Sequence, residues 1–324
     1  MFALRDRCLY IPQIDLWVDS MRRRERSYVS HAHSDHAREH DLVIATPSTA
    51  ALCTARFSTR RKVAFETHDF NEPWIIGDHR LTLFSAGHVL GSAQLLVEGA
   101  AGRHVYTGDF KLARSRTVAE AEIKRCDVLV MECTFGRPQY VFPPREEVEA
   151  EMIAFALAAI SERELPVFFA YSLGKAQEAM AILGVAEIPL RVHPAVAKIC
   201  EVYRSCGVRL PEYELYDERE EHAEYALIWP PTAKRLSRKQ PGRRVRSAML
   251  TGWALDRSAA YRYGVERSFA LSDHADFPAL LRTIELAEPA KVLLVHGQRE
   301  FAERLRRLGI EATYLEENAQ LSLF

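Results

Sequence analysis

Between Ser30 and His36 the chain reads SHAHSDH, which puts three imidazoles and a carboxylate into six consecutive positions. In an extended segment alternate residues point the same way, so His31 and His33 can grip one cation while Asp35 and His36, on the turn that follows, address another. A lone histidine is more often a surface or satisfied residue than a ligand, but four such groups in HxHxDH order are hard to explain without a metal. Two sites need further ligands, and strand ends elsewhere offer them. His88 sits in AGHVLGSAQ, Asp109 in YTGDF and His296 in LLVHG, each closing an apolar run. Loops at the ends of strands are where a rigid scaffold can aim several side chains at one point.

The elements that must do the aiming are legible as texture. Runs at 42–47, 80–87, 93–99, 103–110 and 126–136 are short, apolar and bounded by Gly, Pro or polar residues, as strands are. From Pro144 the sequence PREEVEAEMIAFALAAISERE opens on acidic residues and continues with apolar ones at helical spacing, which predicts a long amphipathic helix. ELPVFFAYSLGKAQEAMAILG then reads as strand, small-residue turn and helix, the alternation of a parallel α/β sheet. Short strands such as YALIWPP and VRSAMLTGW follow. Beyond them come SFALSDHAD, the helix FPALLRTIELAE, the strand KVLLVHG, the helix REFAERLRRLG and a last strand, EATYLEE. The simplest organisation is one domain split in sequence, residues 1–140 and 265–324, with an α/β insertion at 141–264.

Composition bounds the rest. With 324 residues, 48% hydrophobic and 27% charged, the chain has the make-up of a soluble globular protein. No apolar run approaches the length of a membrane span and the N-terminal stretch has no apolar signal-like core, so a cytoplasmic protein without membrane contact is expected. Six cysteines without a CxxC pair predict reduced, mostly buried thiols. A formal net charge of −1 makes no global case for a polyanionic partner. Locally, Lys234 to Arg246 carries seven basic residues and no acidic one, a solvated face or a phosphate-tracking surface.

Taken in this order, SHAHSDH, AGHVLGSAQ, YTGDF and the late strand-terminal histidine resemble the signature of the metallo-β-lactamase fold. That resemblance implies a four-layer αββα domain and two divalent metal ions, zinc or manganese with iron as a further candidate. One ion would be held by His31, His33 and His88, the other by Asp35, His36 and His296, with Asp109 bridging and Asp19, in LWVDS, orienting the histidine loop from behind. Two cations so placed can lower the pKa of a shared water and stabilise charge on the substrate, which is hydrolysis.

The insertion after VMECTFG resembles the cassette of the β-CASP nucleases. Glu132 of MECTFG matches that group's first acidic motif, His274 of LSDHAD its second and His296 its third. The resemblance makes His274 a general acid for an alkoxide leaving group, Glu132 its partner, and Asp35 and Asp109 further catalytic carboxylates. AYSLGKAQE, TGWALDR and LLVHGQREFAERLRRLGIEA are most similar to the compact bacterial ligase-associated DNA exonucleases. That implies DNA as substrate, with a DNA ligase and a helicase as protein partners. Cys133 and the run TGWALDR depart from that group's usual residues.

Ser172 and Lys175, where a strand turns into a helix, and Ser272 beside His274 are candidate phosphate contacts. Competing readings are an RNA-processing β-CASP ribonuclease, a thioester or lactone hydrolase, and a non-catalytic scaffold. The third of these would have no need of seven filled ligand positions.

Overall fold

The computed structural model describes residues 1–57, 62–217, 224–233 and 244–315. In chain order the first part comprises strands Ala3–Arg5 (β1), Cys8–Ile11 (β2), Leu16–Val18 (β3), Arg26–Tyr28 (β4) and Leu42–Ala45 (β5), helix Pro47–Arg56 (α1), and strands Ala64–Thr67 (β6), Trp74–Ile76 (β7), His79–Ser85 (β8), Ala93–Gly99 (β9), Gly102–Tyr106 (β10) and Val128–Cys133 (β11). The middle part comprises helix Arg145–Ser161 (α2), strand Leu165–Phe169 (β12), helix Lys175–Val185 (α3), strand Leu190–Val192 (β13), helix Pro194–Ser205 (α4), strands Glu214–Leu215 (β14), Ala226–Trp229 (β15) and Val245–Leu250 (β16), helix Ala259–Tyr263 (α5) and strand Arg267–Phe269 (β17). Helix Phe277–Ala287 (α6), strand Lys291–Gly297 (β18), helix Glu300–Arg307 (α7) and strand Ala312–Tyr314 (β19) close it.

These elements fall into two compact units, Met1–Arg114 with Val118–Val141 and His274–Phe324, and Ser115–Thr117 with Phe142–Asp273. The first unit is split in sequence around the second, and the chain returns to it at His274. The reason is β17. It pairs in parallel with β16, Ala248 opposite Arg267 and Leu250 opposite Phe269, and so completes the inserted sheet.

In the first unit two sheets lie face to face, in the orders β1-β2-β3-β4-β5-β6 and β19-β18-β11-β10-β9-β8-β7. Alternation along the strands makes the shared core: Leu9, Ile11, Leu16, Val18, Tyr28 and Ile44 from one sheet meet Leu81, Leu83, Leu95, Val97, Tyr106, Val130 and Val295 from the other. Each such side chain, taken wholly out of water, contributes about 1.5–3 kcal/mol. The opposite face of the second sheet, with Leu96, Val105, Leu129, Met131 and Leu294, is covered by Leu280 and Ile284 of α6 and Phe301 and Leu305 of α7.

Helix α1 packs on β5 and β6, which completes the predicted αββα layering. It starts where Pro47 takes the first helical position and the Thr46 hydroxyl accepts the Thr49 N–H at 3.1 Å. Among the described residues no helix is long and apolar enough to cross a membrane. All six thiols are free, and all but Cys206 are buried.

The second unit is a wholly parallel sheet, β14-β13-β15-β12-β16-β17. One face packs on α2, α3 and α4 through Met152, Phe155, Ala179, Leu183, Val196 and Cys200. The expected strand-turn-helix in ELPVFFAYSLGKAQEAMAILG is β12 followed by α3.

A candidate metal centre with a histidine–glutamate pair

Strand β4 carries the chain into Val29, Ser30 and the histidine loop, which is folded by its own residues. The Asp19 carboxylate accepts the Ser30 N–H at 2.7 Å with one oxygen. With the other it accepts the Ser30 hydroxyl at 2.5 Å and the Tyr106 hydroxyl at 2.8 Å, and it faces His36 Nδ1 at 2.8 Å. Both Asp19 oxygens are thus engaged, so Asp19 orients the loop and leaves His36 Nε2 pointing away from it. Ser30 Oγ also lies 3.0 Å from His31 Nδ1, which aims the other ring nitrogen inward.

Asp109 follows β10 through Thr107 and Gly108. Gly108 has φ +57°, and a Cβ there would lie 2.7 Å from Ser30 Oγ, so this turn brings the two ligand-bearing loops together only with glycine. His88 follows β8, its loop closed by the Ser92 hydroxyl, which accepts the N–H groups of His88 and Val89 at 3.1 Å each. The α1 start pins the far side of this loop, since Thr46 and Thr49 both donate hydroxyl protons to the Gly91 carbonyl.

The products of this scaffolding converge. Ligand atoms of His31, His33, His88 and Asp109 all lie within 4.8 Å of one another. Asp109 Oδ2 is 3.6 Å from His31 Nε2, 3.3 Å from His36 Nε2 and 3.8 Å from His88 Nε2, while His33 Nδ1 and His88 Nε2 approach to 3.0 Å. The Nε2 atoms of His31 and His36 are fully buried and make no hydrogen bond. Buried imidazole nitrogens converging on one carboxylate oxygen without hydrogen-bond partners fit a divalent metal, which would satisfy them all.

The electrostatics set the rings apart. Burial, with the neighbouring His36 and His88, holds His31 well below the usual histidine range, so it is a neutral, ligand-competent imidazole. Burial opposes charge on His36 too, but Asp109 and Asp19 outweigh it and hold His36 well above that range. Burial likewise acts against the charge on Asp109, and the His36, His274 and His31 imidazoles override it to hold that carboxyl well below the usual range.

The remaining predicted ligands are placed less tightly. The His296 ring lies 4.8 Å from that of His36, on β18 at a break in register. Strands β11 and β18 pair in step up to Glu132 opposite Val295, and then Cys133 faces Gly297, so His296 is an extra residue, at φ +48°. Gly297 has φ +141°, and a Cβ on it would meet the Cys133 carbonyl oxygen at 2.2 Å. Asp35, half-exposed on the turn, joins none of the close ligand groups among the described residues.

Beside Asp109 stands the second constellation. Glu132 is fully buried, and both its oxygens lie 3.0 Å from His274 Nδ1. Oε1 also accepts the Phe110 N–H at 2.9 Å and Oε2 the Thr134 hydroxyl at 2.5 Å. A ligand atom of His274 comes within 4.8 Å of Asp109 as well as of Glu132. The Phe110 peptide ties the arrangement together, because its carbonyl accepts the Ala275 N–H at 2.7 Å while its N–H holds Glu132.

Ser30, Tyr106, Thr134 and the Phe110 peptide are parts of the site that sequence reasoning did not single out. All four stood inside the quoted motifs, Ser30 in SHAHSDH, Tyr106 and Phe110 in YTGDF and Thr134 in MECTFG. Thr134 supplies the hydroxyl that Glu132 Oε2 accepts, while the neighbouring Cys133 is buried with its Sγ 3.7 Å from the Val295 carbonyl.

In the second unit, Ser172 is half-buried and its carbonyl accepts Gln177 Nε2 at 3.0 Å. The α3 start is already capped, since Gln177 Oε1 accepts the Gly174 N–H at 2.9 Å. Lys175 is buried and its ammonium sits 2.6 Å from Asp273 Oδ2. Ser272 is buried beside that pair in sequence. Of the basic run, residues 234–243 lie outside the described residues. Arg244 is held by Glu164 and Glu266, and Arg246 by Glu162 and Glu164.

His40, just past the histidine loop, gives a pH test of the scaffold. Its Nδ1 accepts the Arg24 N–H at 3.1 Å, and burial, against the pull of Asp19 and with help from Arg24, brings its pKa down to about 4. Because the folded-state value lies below the unfolded one of 6.5, the stability this implies is fully present above pH 6.5 and is lost as pH falls toward 4. The loss from this residue between pH 7.5 and 4.5 is about 2 to 3 kcal/mol. Urea unfolding of His40→Asn, whose side-chain carbonyl can take the same N–H, is expected to weaken the acid dependence by that amount. Parallel curves for the two proteins would refute the assignment.

Comparison with known proteins bears on what this site belongs to. Residues 262–319 match the family model described as the Zn-dependent metallo-hydrolase RNA specificity domain. Over 319 residues, 97% of this chain, the sequence is 41% identical to a protein of Opitutus terrae named "Probable DNA ligase", of which it spans 31%. It is 27% identical over 206 residues to an "RNase J-like protein" of Methanocaldococcus jannaschii, covering 55% of this chain and 49% of that one. It is 31% identical over 168 residues to "Endoribonuclease ysh1" of Emericella nidulans, covering 51% and 18%. A solved structure of a protein of unknown function from Enterococcus faecalis shares the fold, with a TM-score of 0.60 at 14% identity over 89% of this chain and 78% of that one.

Proposed function

We propose that this chain, which belongs to the β-CASP group of metallo-β-lactamase-fold proteins, is a two-metal phosphodiesterase that hydrolyses single-stranded DNA from an end, in repair alongside a DNA ligase. The observation that carries the reading is the buried Glu132 holding His274 at 3.0 Å, with His274 and Asp109 in one close group of ligand atoms. A thioester hydrolase expels a thiolate, which needs no such donor; a phosphodiester expels an alkoxide, which does.

In this reading His31, His33 and His88 would hold one divalent cation and His36, His296 and Asp35 the other, with Asp109 serving the centre as a carboxylate ligand. Such cations lower the pKa of water toward neutrality and stabilise charge on the phosphate oxygens. The chain's own residues do the rest. Asp19 and Ser30 fix which nitrogen of His36 and of His31 faces inward. Glu132, held by Phe110 and Thr134, accepts from Nδ1 of His274, so Nε2 is the nitrogen that delivers a proton to the leaving sugar oxygen.

For the polymer, the relative named as a DNA ligase, similar along 97% of this chain, supports DNA, while the shorter matches to RNase J-like and Ysh1 proteins favour RNA as the second reading. The test is a panel of end-labelled DNA and RNA strands of one sequence with Mn²⁺ or Zn²⁺. DNA shortened progressively from one end, faster than RNA, is the expected result. Faster RNA cleavage moves the chain to the second reading, and no cleavage of either polymer by a metal-loaded sample removes both.

A further inference from the structure

We propose that Lys175 is a positioning residue for His274, acting through Asp273, and not a hand for the substrate's phosphate. The inference rests on the nuclease reading above and deepens it. A lysine at the start of a helix, after a small-residue turn, is the expected shape of an anion site, yet its ammonium and the N–H of the residue before it are both engaged within the chain. The Gly174 N–H is taken by Gln177. The Lys175 side chain is buried, its ammonium lies 2.6 Å from Asp273 Oδ2, and it stands 5.6 Å from the Tyr171 ring centre. Asp273 is itself buried. Two buried, oppositely charged groups at that distance stay together, because parting them leaves a charge in a poorly solvating place.

What the pair holds is the residue bonded to His274. The segment around that histidine is tied on both sides. Leu271 N–H bonds the Phe269 carbonyl at 2.8 Å, Ala275 N–H bonds the Phe110 carbonyl at 2.7 Å, and Asp276 caps α6 through the Ala279 N–H at 3.0 Å. Between those ties, Lys175–Asp273 is an ionic restraint on the backbone immediately before the imidazole. A tilt there would carry His274 Nδ1 out of its two 3.0 Å contacts with Glu132. Lys175 therefore supports proton delivery, and its removal is felt where a proton has to be delivered.

The test compares Lys175→Met, Asp273→Asn, their double variant and Lys175→Arg on two substrates, an oligodeoxynucleotide and a nitrophenyl phosphodiester whose leaving group needs no proton. Positioning predicts a kcat loss of about 10- to 100-fold on the oligonucleotide, little change on the nitrophenyl ester, an unchanged KM and partial rescue by Lys175→Arg. Each single variant should lose as much as the double one, since both break one link. A phosphate contact predicts the opposite: a raised KM, a salt dependence of binding shallower by about 0.7 in slope, and no loss in Asp273→Asn.

Melting curves supply a readout independent of turnover. The double variant, which leaves no unpaired charge, should melt higher than Lys175→Met, and it replaces that variant in the kinetics if the single change prevents folding. Additive losses, or equal losses on both substrates, would overturn the proposal while leaving the nuclease reading intact. A wild-type protein that cleaves no phosphodiester overturns both.

Discussion

Asp109→Asn is expected to reduce hydrolysis by more than about a thousandfold, because one change withdraws the anion around which the ligand atoms converge and with it several kcal/mol of stabilisation of the reacting charge. The carboxylate lies within 3.3 to 3.8 Å of Nε2 atoms on His31, His36 and His88. An amide in its place keeps the volume, removes the charge, and can turn an N–H₂ donor toward the ring nitrogens that have to stay available as lone pairs. Metal analysis of protein purified without chelator should therefore find less metal than in the wild type, and single-turnover cleavage of an end-labelled strand should be lost. A variant with the wild-type metal content and a rate within tenfold of it would remove Asp109 from the centre.

The second large effect is expected from His274→Ala, and its size should depend on what is being expelled. General acid catalysis contributes about 10² to 10⁴ in rate. That whole factor is at stake for a nucleotide alkoxide and almost none of it for a nitrophenolate, which departs without a proton. Glu132→Gln should fall in the same direction by less, because glutamine can still accept from Nδ1 but no longer supports the imidazolium with a charge. The buried position of Glu132, with donors from Phe110, Thr134 and His274, makes unfolding a competing outcome, so both variants need a melting curve beside the kinetics. Equal losses of the His274→Ala enzyme on both substrates would exclude the acid role and leave His274 a structural group.

Much of this site was readable in one dimension, for identifiable reasons. SHAHSDH carries its ligands at adjacent positions, and Ser30, which orients His31, lies in the same stretch. The apolar runs 80–87, 93–99, 103–110 and 126–136 became β8 to β11, because a strand buried on both faces announces itself by continuous apolar sequence.

What the sequence hid was settled by distant partners. Strands β1 to β4 are three or four residues long, some with charged ends, and owe their existence to neighbours in the sheet. Helix α1 was signalled only by Thr46 and Pro47. The return of the chain at His274 depended on β17, a three-residue strand whose pairing with β16 no local pattern announces. Lys175 looked like a free cation because its partner, Asp273, is 98 residues away.

The register break between β11 and β18 has one more consequence. The extra residue it creates is His296, and the residue on the facing strand where the step is lost is Glu132. Thr134 knots the same place from both sides, its hydroxyl reaching Glu132 Oε2 and, at 3.4 Å, the His296 carbonyl. The proposed ligand His296 and the carboxylate behind the proposed proton donor are thus a single mechanical joint. Neither can be retuned alone, so any redesign of this chain for a different metal at position 296 is also a redesign of how its leaving group is protonated.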